Sequence, residues 1–391
     1  MPKKQTTSRA QRLVMKLLAI PGTSGQEAGV ATFIRQELLK AGANEKDITV
    51  DSAHRRTVIK GDSGNLAFKL RGTRRAPRRM LMAHMDTVPI CVGCQPVRKG
   101  SIVRSADPNT GLGADDRAGC AVVLYTATEM LRRGGPHPPL TFLWPVQEEV
   151  GLQGARHVRL SALGKPKLAF NWDGGAADKL TVGATGGYRL GIDVRGLASH
   201  AGGAPEQGVS AIAIASLAIA DLHNNGWHGL IIKGRRLGTS NVGVIQGGAA
   251  TNVVTDRVQI RAEARSHDPV FRREITRQIE KAFRRAAGQV KSSNGKVGEV
   301  RFSGQLDYES FKLRDDEPCL LIAEEAVRGI GGEPIRAIAN GGLDANWMTR
   351  HGIPTVSLGC GQRNQHMVTE ELDLNQFDRA CKIALRLASG A

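Results

Sequence analysis

The stretch PLTFLWPVQEEVGLQG, Pro139 to Gly154, opens as an apolar, β-prone segment and runs straight into two adjacent carboxylates and then glycine. A surface loop would scatter its charges, and a buried strand would exclude them. The reading that satisfies both is a buried strand whose end delivers Glu148 and Glu149 into a site. Its neighbours supply the frame. RRMLMAHMDTVP reads as a strand, RAGCAVVLYTATEMLRRGG as a helix closed by glycine, and LAFNWDGG as another strand ending in a carboxylate. Strands alternating with helices imply an α/β fold with a mostly parallel sheet, in which ligands collect beyond the carboxyl ends of the strands.

Towards the amino terminus, SRAQRLVMKLLAI sets Leu13, Val14, Leu17 and Leu18 at helical spacing behind Ser8 as N-cap. GQEAGVATFIRQELLKAGA is a second amphipathic helix, and DITVDSA and NLAFKLRG are strands. From about Gly187 the order becomes strand, helix, two strands, long charged helix and strand, ending in KVGEVRFSG. That β-α-β-β-α-β order is a ferredoxin-like unit. Alternating α/β character resumes after it in EPCLLIAEEAVRGIGG, GIPTVSLG and LNQFDRACKIALRLAS. The unit is therefore an insertion: residues 1–186 and 304–391 are expected to form one catalytic domain, and 187–303 a smaller domain beside it.

Composition sets the outer limits. A chain of 391 residues that is 41% hydrophobic can bury a substantial core and suits two or three domains. No apolar run approaches the roughly 18 residues of a membrane span, and the basic amino-terminal stretch lacks a signal-peptide core, so the cytoplasm is the expected location. Cys91, Cys94, Cys120, Cys319, Cys360 and Cys381 lack the spacing of a disulfide framework. CVGC has no second pair to complete a zinc site, so reduced thiols are expected. Lys and Arg exceed Asp and Glu by 17, but the excess is spread along the chain and only 4% of residues are aromatic. That argues for a solvated basic surface and against a base-stacking nucleic-acid platform.

The chemistry lies at strand ends and in loops. His84 and Asp86 are two apart, so on a strand they would share one face, where a carboxylate can hold the ring of a metal-bound histidine. Asp115 and Asp116 sit side by side in the glycine-rich GLGADDRAG just before a helix; Asp173 follows a strand in NWDGG, and His366 follows the last strand in LGCGQRNQHMV. Taken singly, each has an ordinary explanation: a hydrogen-bonded core histidine, helix-capping aspartates, a surface glutamate. Together, separate strand-to-loop junctions all place carboxylate or imidazole where such a sheet has its site. Imidazole and carboxylate without thiolate suit zinc, cobalt or manganese used for hydrolysis. On extended backbone, neighbouring glutamates would point to opposite sides, one to a metal and one to substrate.

In order, H-x-D, G-x-D-D-x-x-G, E-E-x-G, a later Asp and a late His resemble the M20 metallopeptidases. LLAIPGTSGQE, GADDRAG and SHAGGAPEQGVSAI are most similar to the peptidase T-like branch. The resemblance covers nearly the whole chain. It implies a two-domain di-zinc peptidase, with cobalt or manganese as possible substitutes, acting on short peptides. His84 and Asp173 would bind one zinc, Glu149 and His366 the other, and Asp115 would bridge them. Asp86 would orient His84, and Glu148 would be the general base. The inserted domain would serve as lid and dimerisation domain of a homodimer. From it, His200 would stabilise the tetrahedral oxyanion, often from a partner subunit, while Asn252 and Arg265 would grip the substrate's carboxylate end. Arg265 reads equally well as an ordinary strand-end charge.

One departure bears on specificity. Where peptidase T has RGGTDG this chain has NGGLDANW, with Asn340 in place of the arginine that would read a peptide's C-terminal carboxylate. An amide makes a weaker, uncharged contact. This leaves open a broad di- or tripeptidase, and beside it a carboxypeptidase or deacylase acting on N-acyl amino acids. A catalytically silent basic binding protein would show gaps in the ligand set, and there are none.

Overall fold

The computed structural model describes residues 8–390, which divide into two compact units. The first comprises the chain up to Ala184, Lys312–Ala339 and the chain from Leu343 on; the second comprises Thr185–Phe311 and Asn340–Gly342.

At the centre of the first unit are four mutually parallel strands, in the spatial order Leu140–Trp144, Arg79–Met82, Leu168–Trp172 and Thr355–Leu358. Three of them, LTFLW, LAFNW and TVSL, are buried at every position, as a sheet covered on both faces requires. Antiparallel strands Leu66–Leu70 and Ile48–Val50 extend one side; Lys179–Ala184 flanks the other. One face packs Met80, Met82, Leu143 and Ala169 against Ala155, Val158, Met348 and Ile353. The helix Arg9–Leu18 begins as the sequence predicts, with Ser8 Oγ accepting from the Gln11 amide at 3.1 Å. A smaller sheet pairs Gln362–Arg363, Glu371–Asp373, Ile102–Ser105 and Pro96–Lys99, and so makes residues 364–370 a hairpin loop.

The second unit is one five-stranded antiparallel sheet with two helices, Ala211–Asn224 and Pro269–Gln289. Strand Arg257–Ser266 alternates exposed and buried positions; its inner Val258, Ile260 and Ala264 meet Ile214 and Leu222 of one helix and Phe271, Ile275 and Phe283 of the other. The sheet carries one strand more than the ferredoxin-like pattern. Gly229–Lys233 forms an edge hairpin with Arg236–Gly247, turning at Gly234 with φ +64°. Its exposed Leu230 and Ile232 break the alternation that would mark it in the sequence. The last strand runs over Glu299–Tyr308, past residue 303, because its pairing with Gly186–Arg195 continues to Tyr308, and Asn340–Gly342 joins this unit too. Among the described residues all six cysteines are free, and no helix is long and apolar enough to cross a membrane.

Candidate metal centre

Each of the four parallel strands delivers part of one cluster just beyond its carboxyl end. Met82 leads to His84 and Asp86, Trp144 to Glu148 and Glu149, Trp172 to Asp173, and Leu358 to His366. Asp115 enters from the first turn of Ala114–Arg133, where its φ/ψ of −84°/104° is not helical. Donor atoms of His84, Asp115 and Asp173 lie within 4.8 Å of one another, as do those of Asp115, Glu149 and His366, and those of His84, Glu148 and Glu149.

Asp86 organises the cluster from beneath. Fully buried, it accepts from Ser24 Oγ at 2.7 Å and from the backbone amides of Glu148 at 3.0 Å and Glu149 at 3.1 Å. Its Oδ1 is 3.4 Å from His84 Nδ1, which leaves His84 Nε2 to face Asp115 Oδ1 at 3.3 Å. This corrects the strand-face reading of His84 and Asp86. The strand ends at Met82, and the pair meets across a loop instead. The two glutamates also differ from expectation. Their strand stops at Trp144, because Pro145 has no N–H for the ladder, and Gln147 at φ +56° turns the chain. The EE pair therefore lies in a turn, and strand alternation does not separate its side chains. Asp116 points away from Asp115, accepting from the His84 and Gly119 amides and from Gln362 Nε2.

His366 sits on the hairpin loop at φ +62°, with its side chain 52% exposed and its Nε2 3.0 Å from Glu149 Oε1 and 3.5 Å from Asp115 Oδ2. These partners push the ring up to about 10, Asp115 first and then Glu149. Burial opposes ionisation of the carboxylates around it. It lifts Asp173 to about 7, with Asp115 adding to the rise, and it raises Glu148 well above the usual range. Asp115 goes the other way: burial would raise it, but His366 and His84 hold it low.

Two buried carboxylates here were not singled out from the sequence. Glu370 accepts from the amides of Gly113 at 2.6 Å and Asp115 at 2.9 Å. Asp344, at the start of Asp344–Arg350, has both oxygens buried without a hydrogen-bond partner among the described residues and is pushed up to about 8 by burial and by Asp173, Asp86 and Glu149. The only sequence signal for Glu370 is its place four residues after His366.

In the second unit, His200 Nδ1 accepts from the amides of Gly202 at 3.2 Å and Gly203 at 2.9 Å, which puts the ring proton on Nε2 and leaves that N–H as a donor. The Asn252 carbonyl holds the neighbouring Ala201 amide. Arg265 is paired with Glu263 through two 2.9 Å bonds, and Asn340 Oδ1 lies 3.2 Å from His267 Nε2.

A parallel sheet whose carboxyl ends converge on imidazole and carboxylate donors defines a metal-dependent hydrolase of the α/β class. The description "Peptidase family M20/M25/M40" matches residues 80–390. The chain is 30% identical to YqjE, an uncharacterized protein of Bacillus subtilis, over 96% of each. A tripeptidase from Staphylococcus aureus superimposes with a TM-score of 0.87 at 28% identity, and aminopeptidase PepT from Bacillus cereus with 0.83 at 29%; 97% of each chain is covered in both cases. The chain belongs to peptidase family M20/M25/M40, in its peptidase T-like branch, and is a hydrolase of peptide bonds.

Proposed function

We propose that the protein is a two-metal exopeptidase of short peptides, di- and tripeptides above all. The observation that carries this reading is the division of Asp115: Oδ1 faces His84 and Oδ2 faces His366, so one carboxylate belongs to two donor sets. Donors about 2.0–2.1 Å from a tetrahedral zinc stand ~3.3 Å from one another. The histidine–carboxylate separations here are 3.0–3.5 Å, all donors of each set lie within 4.8 Å of one another, and Asp115 Oδ1 is buried without a hydrogen bond among the described residues, so the residues fit such an ion. His84, Asp115 and Asp173 would hold one, and Asp115, Glu149 and His366 the other; cobalt or manganese suits the same donors. When bound, the metals supply Lewis-acid polarisation of the scissile carbonyl and acidify water at neutral pH.

The remaining work falls to side chains. Glu148, its backbone fixed by Asp86, takes the proton from the attacking water and returns it to the leaving amine. Asp86 holds the His84 tautomer that keeps Nε2 unprotonated for ligation. The Nε2–H of His200 suits stabilisation of the developing oxyanion. Asn252, Arg265 and Asn340 would meet the substrate's carboxylate end. Exposed Ile212 and Leu217 on one helix, with Leu230 and Ile232 on the edge strand, support a homodimer through the inserted unit. The similarity to a tripeptidase and to PepT supports the substrate class.

The test measures metal content and turnover on a panel of di- and tripeptides and N-acyl amino acids. About two divalent ions per chain are expected, with activity lost on their removal and restored on their return. Activity unchanged after verified removal overturns the mechanism. Turnover confined to N-acyl amino acids overturns the substrate class and favours the deacylase reading.

A further inference from the structure

We infer that Glu370 is a positioning residue that ties the His366 loop to the backbone of Asp115 and thereby sets the affinity of one of the two metal positions. The inference rests on the two-metal reading above and adds a residue to it.

The geometry is specific. Glu370 is 1% exposed and spends both carboxylate oxygens on one segment: Oε2 accepts from Gly113 N at 2.6 Å and Oε1 from Asp115 N at 2.9 Å. Cys91 Sγ lies 3.8 Å from Oε2. Neither amide has an alternative partner in a helix, since Gly113 is left-handed at φ +72° and Asp115 is non-helical. The carboxylate therefore fixes the backbone from which the Asp115 side chain projects. Charge-assisted bonds of this kind are about twice as strong as neutral ones.

Glu370 also closes the loop that carries His366. Strands Gln362–Arg363 and Glu371–Asp373 hold the ends of residues 364–370, the Glu370 amide donates to Met367 O at 3.0 Å, and Asn364 Nδ2 donates to Thr369 O at 3.2 Å. The His366 side chain is half exposed, and among the described residues its ring is held only through Nε2, against Asp115 and Glu149. The His84 set is anchored differently: His84 is buried, and its Nδ1 faces Asp86. Loosening Glu370 thus disturbs two ligands of the His366 set, His366 and Asp115, but only the shared Asp115 of the His84 set, where His84 and Asp173 keep their places. The two metal positions should respond unequally.

Zinc titration of the metal-free protein against a competing chelator, with Glu370→Gln and Glu370→Ala, reads this directly. Partners behind metal ligands typically contribute about 10–100-fold to metal affinity. The expected result is that loss in one of the two zinc constants, with the other within a few-fold of wild type. Equal weakening of both, or no change in either, overturns the inference. A second arm needs no metal. Hydrogen exchange at the Gly113 and Asp115 amides of the metal-free protein should accelerate by about tenfold or more in Glu370→Ala, with core amides of Leu140–Trp144 unchanged. Unchanged exchange at Gly113 and Asp115 also overturns the inference. If wild type binds fewer than two zinc ions, the two-metal reading fails on its own; the tether then stands or falls on the exchange arm, and its effect on a second ion is withdrawn.

Discussion

The candidate metal centre and the residues of the inserted unit proposed to meet substrate are built on opposite plans. In the first, three supporting carboxylates are buried and hydrogen-bonded behind the cluster: Asp86 takes three donors, Asp116 takes three, and Glu370 takes two backbone amides. In the second, His200, Asn252 and Asn340 are exposed on loops, and Arg265 is satisfied by Glu263 two residues away on its own strand. Buried groups cannot rearrange cheaply, because each lost bond leaves an unpaired polar atom. Exposed groups can exchange water or a neighbour for substrate at little cost. On the proposed function, the contrast would separate a rigid constellation for chemistry from an adaptable one for recognition.

The contrast is most sharply exposed by Glu148→Gln. We expect turnover to fall by roughly 10²–10⁴-fold as a lost general base, with both metals retained, while Glu149→Ala loses metal. Metal analysis beside kcat decides the matter, and the reverse pattern would exchange the two roles. His200→Ala should cost about 10²–10³-fold in kcat if its Nε2–H meets the oxyanion, without loss of metal. Mixing it with Glu148→Gln under subunit exchange tests delivery between subunits: one restored site per mixed dimer is expected, and no recovery in proven heterodimers assigns His200 to its own chain. The smallest effect concerns Arg265. Arg265→Ala should raise KM by about tenfold for peptides ending in a free carboxylate and leave peptide amides unaffected, and Glu263→Gln should lower KM for the former. If neither variant distinguishes acid from amide, Arg265 is simply the partner of Glu263.

Sequence patterning exposes the rigid half better than one might expect of long-range chemistry. Apolar runs such as LTFLW and LAFNW announce buried strands, and the carboxylates that follow them cannot be core, so their positions at strand ends are legible without any alignment. What is not legible is how the turns close. Pro145 and the left-handed Gln147 decide where Glu148 and Glu149 point, and those are backbone facts with no periodic signature. Glu370 is a harder case still. Its partners are amides some 255 residues away, and nothing local to VTEEL distinguishes it from the surface-bonded Glu371. The edge strand Gly229–Lys233 escapes for a third reason, since Leu230 and Ile232 on either side of the buried Ile231 face solvent and blur the alternation.

The strand order of the central sheet carries a consequence for biosynthesis. Thr355–Leu358 does not lie at an edge; it is wedged between Leu168–Trp172 and Lys179–Ala184, strands made nearly two hundred residues earlier. As the chain leaves the ribosome, Thr185–Phe311 of the inserted unit is made while the sheet beside Leu168–Trp172 still lacks its neighbour. Only when residues 355–370 emerge can the gap fill, and the same segment brings His366 and Glu370. A nascent chain thus lacks the strand Thr355–Leu358, and with it His366 and Glu370 of the candidate centre, until those residues have emerged.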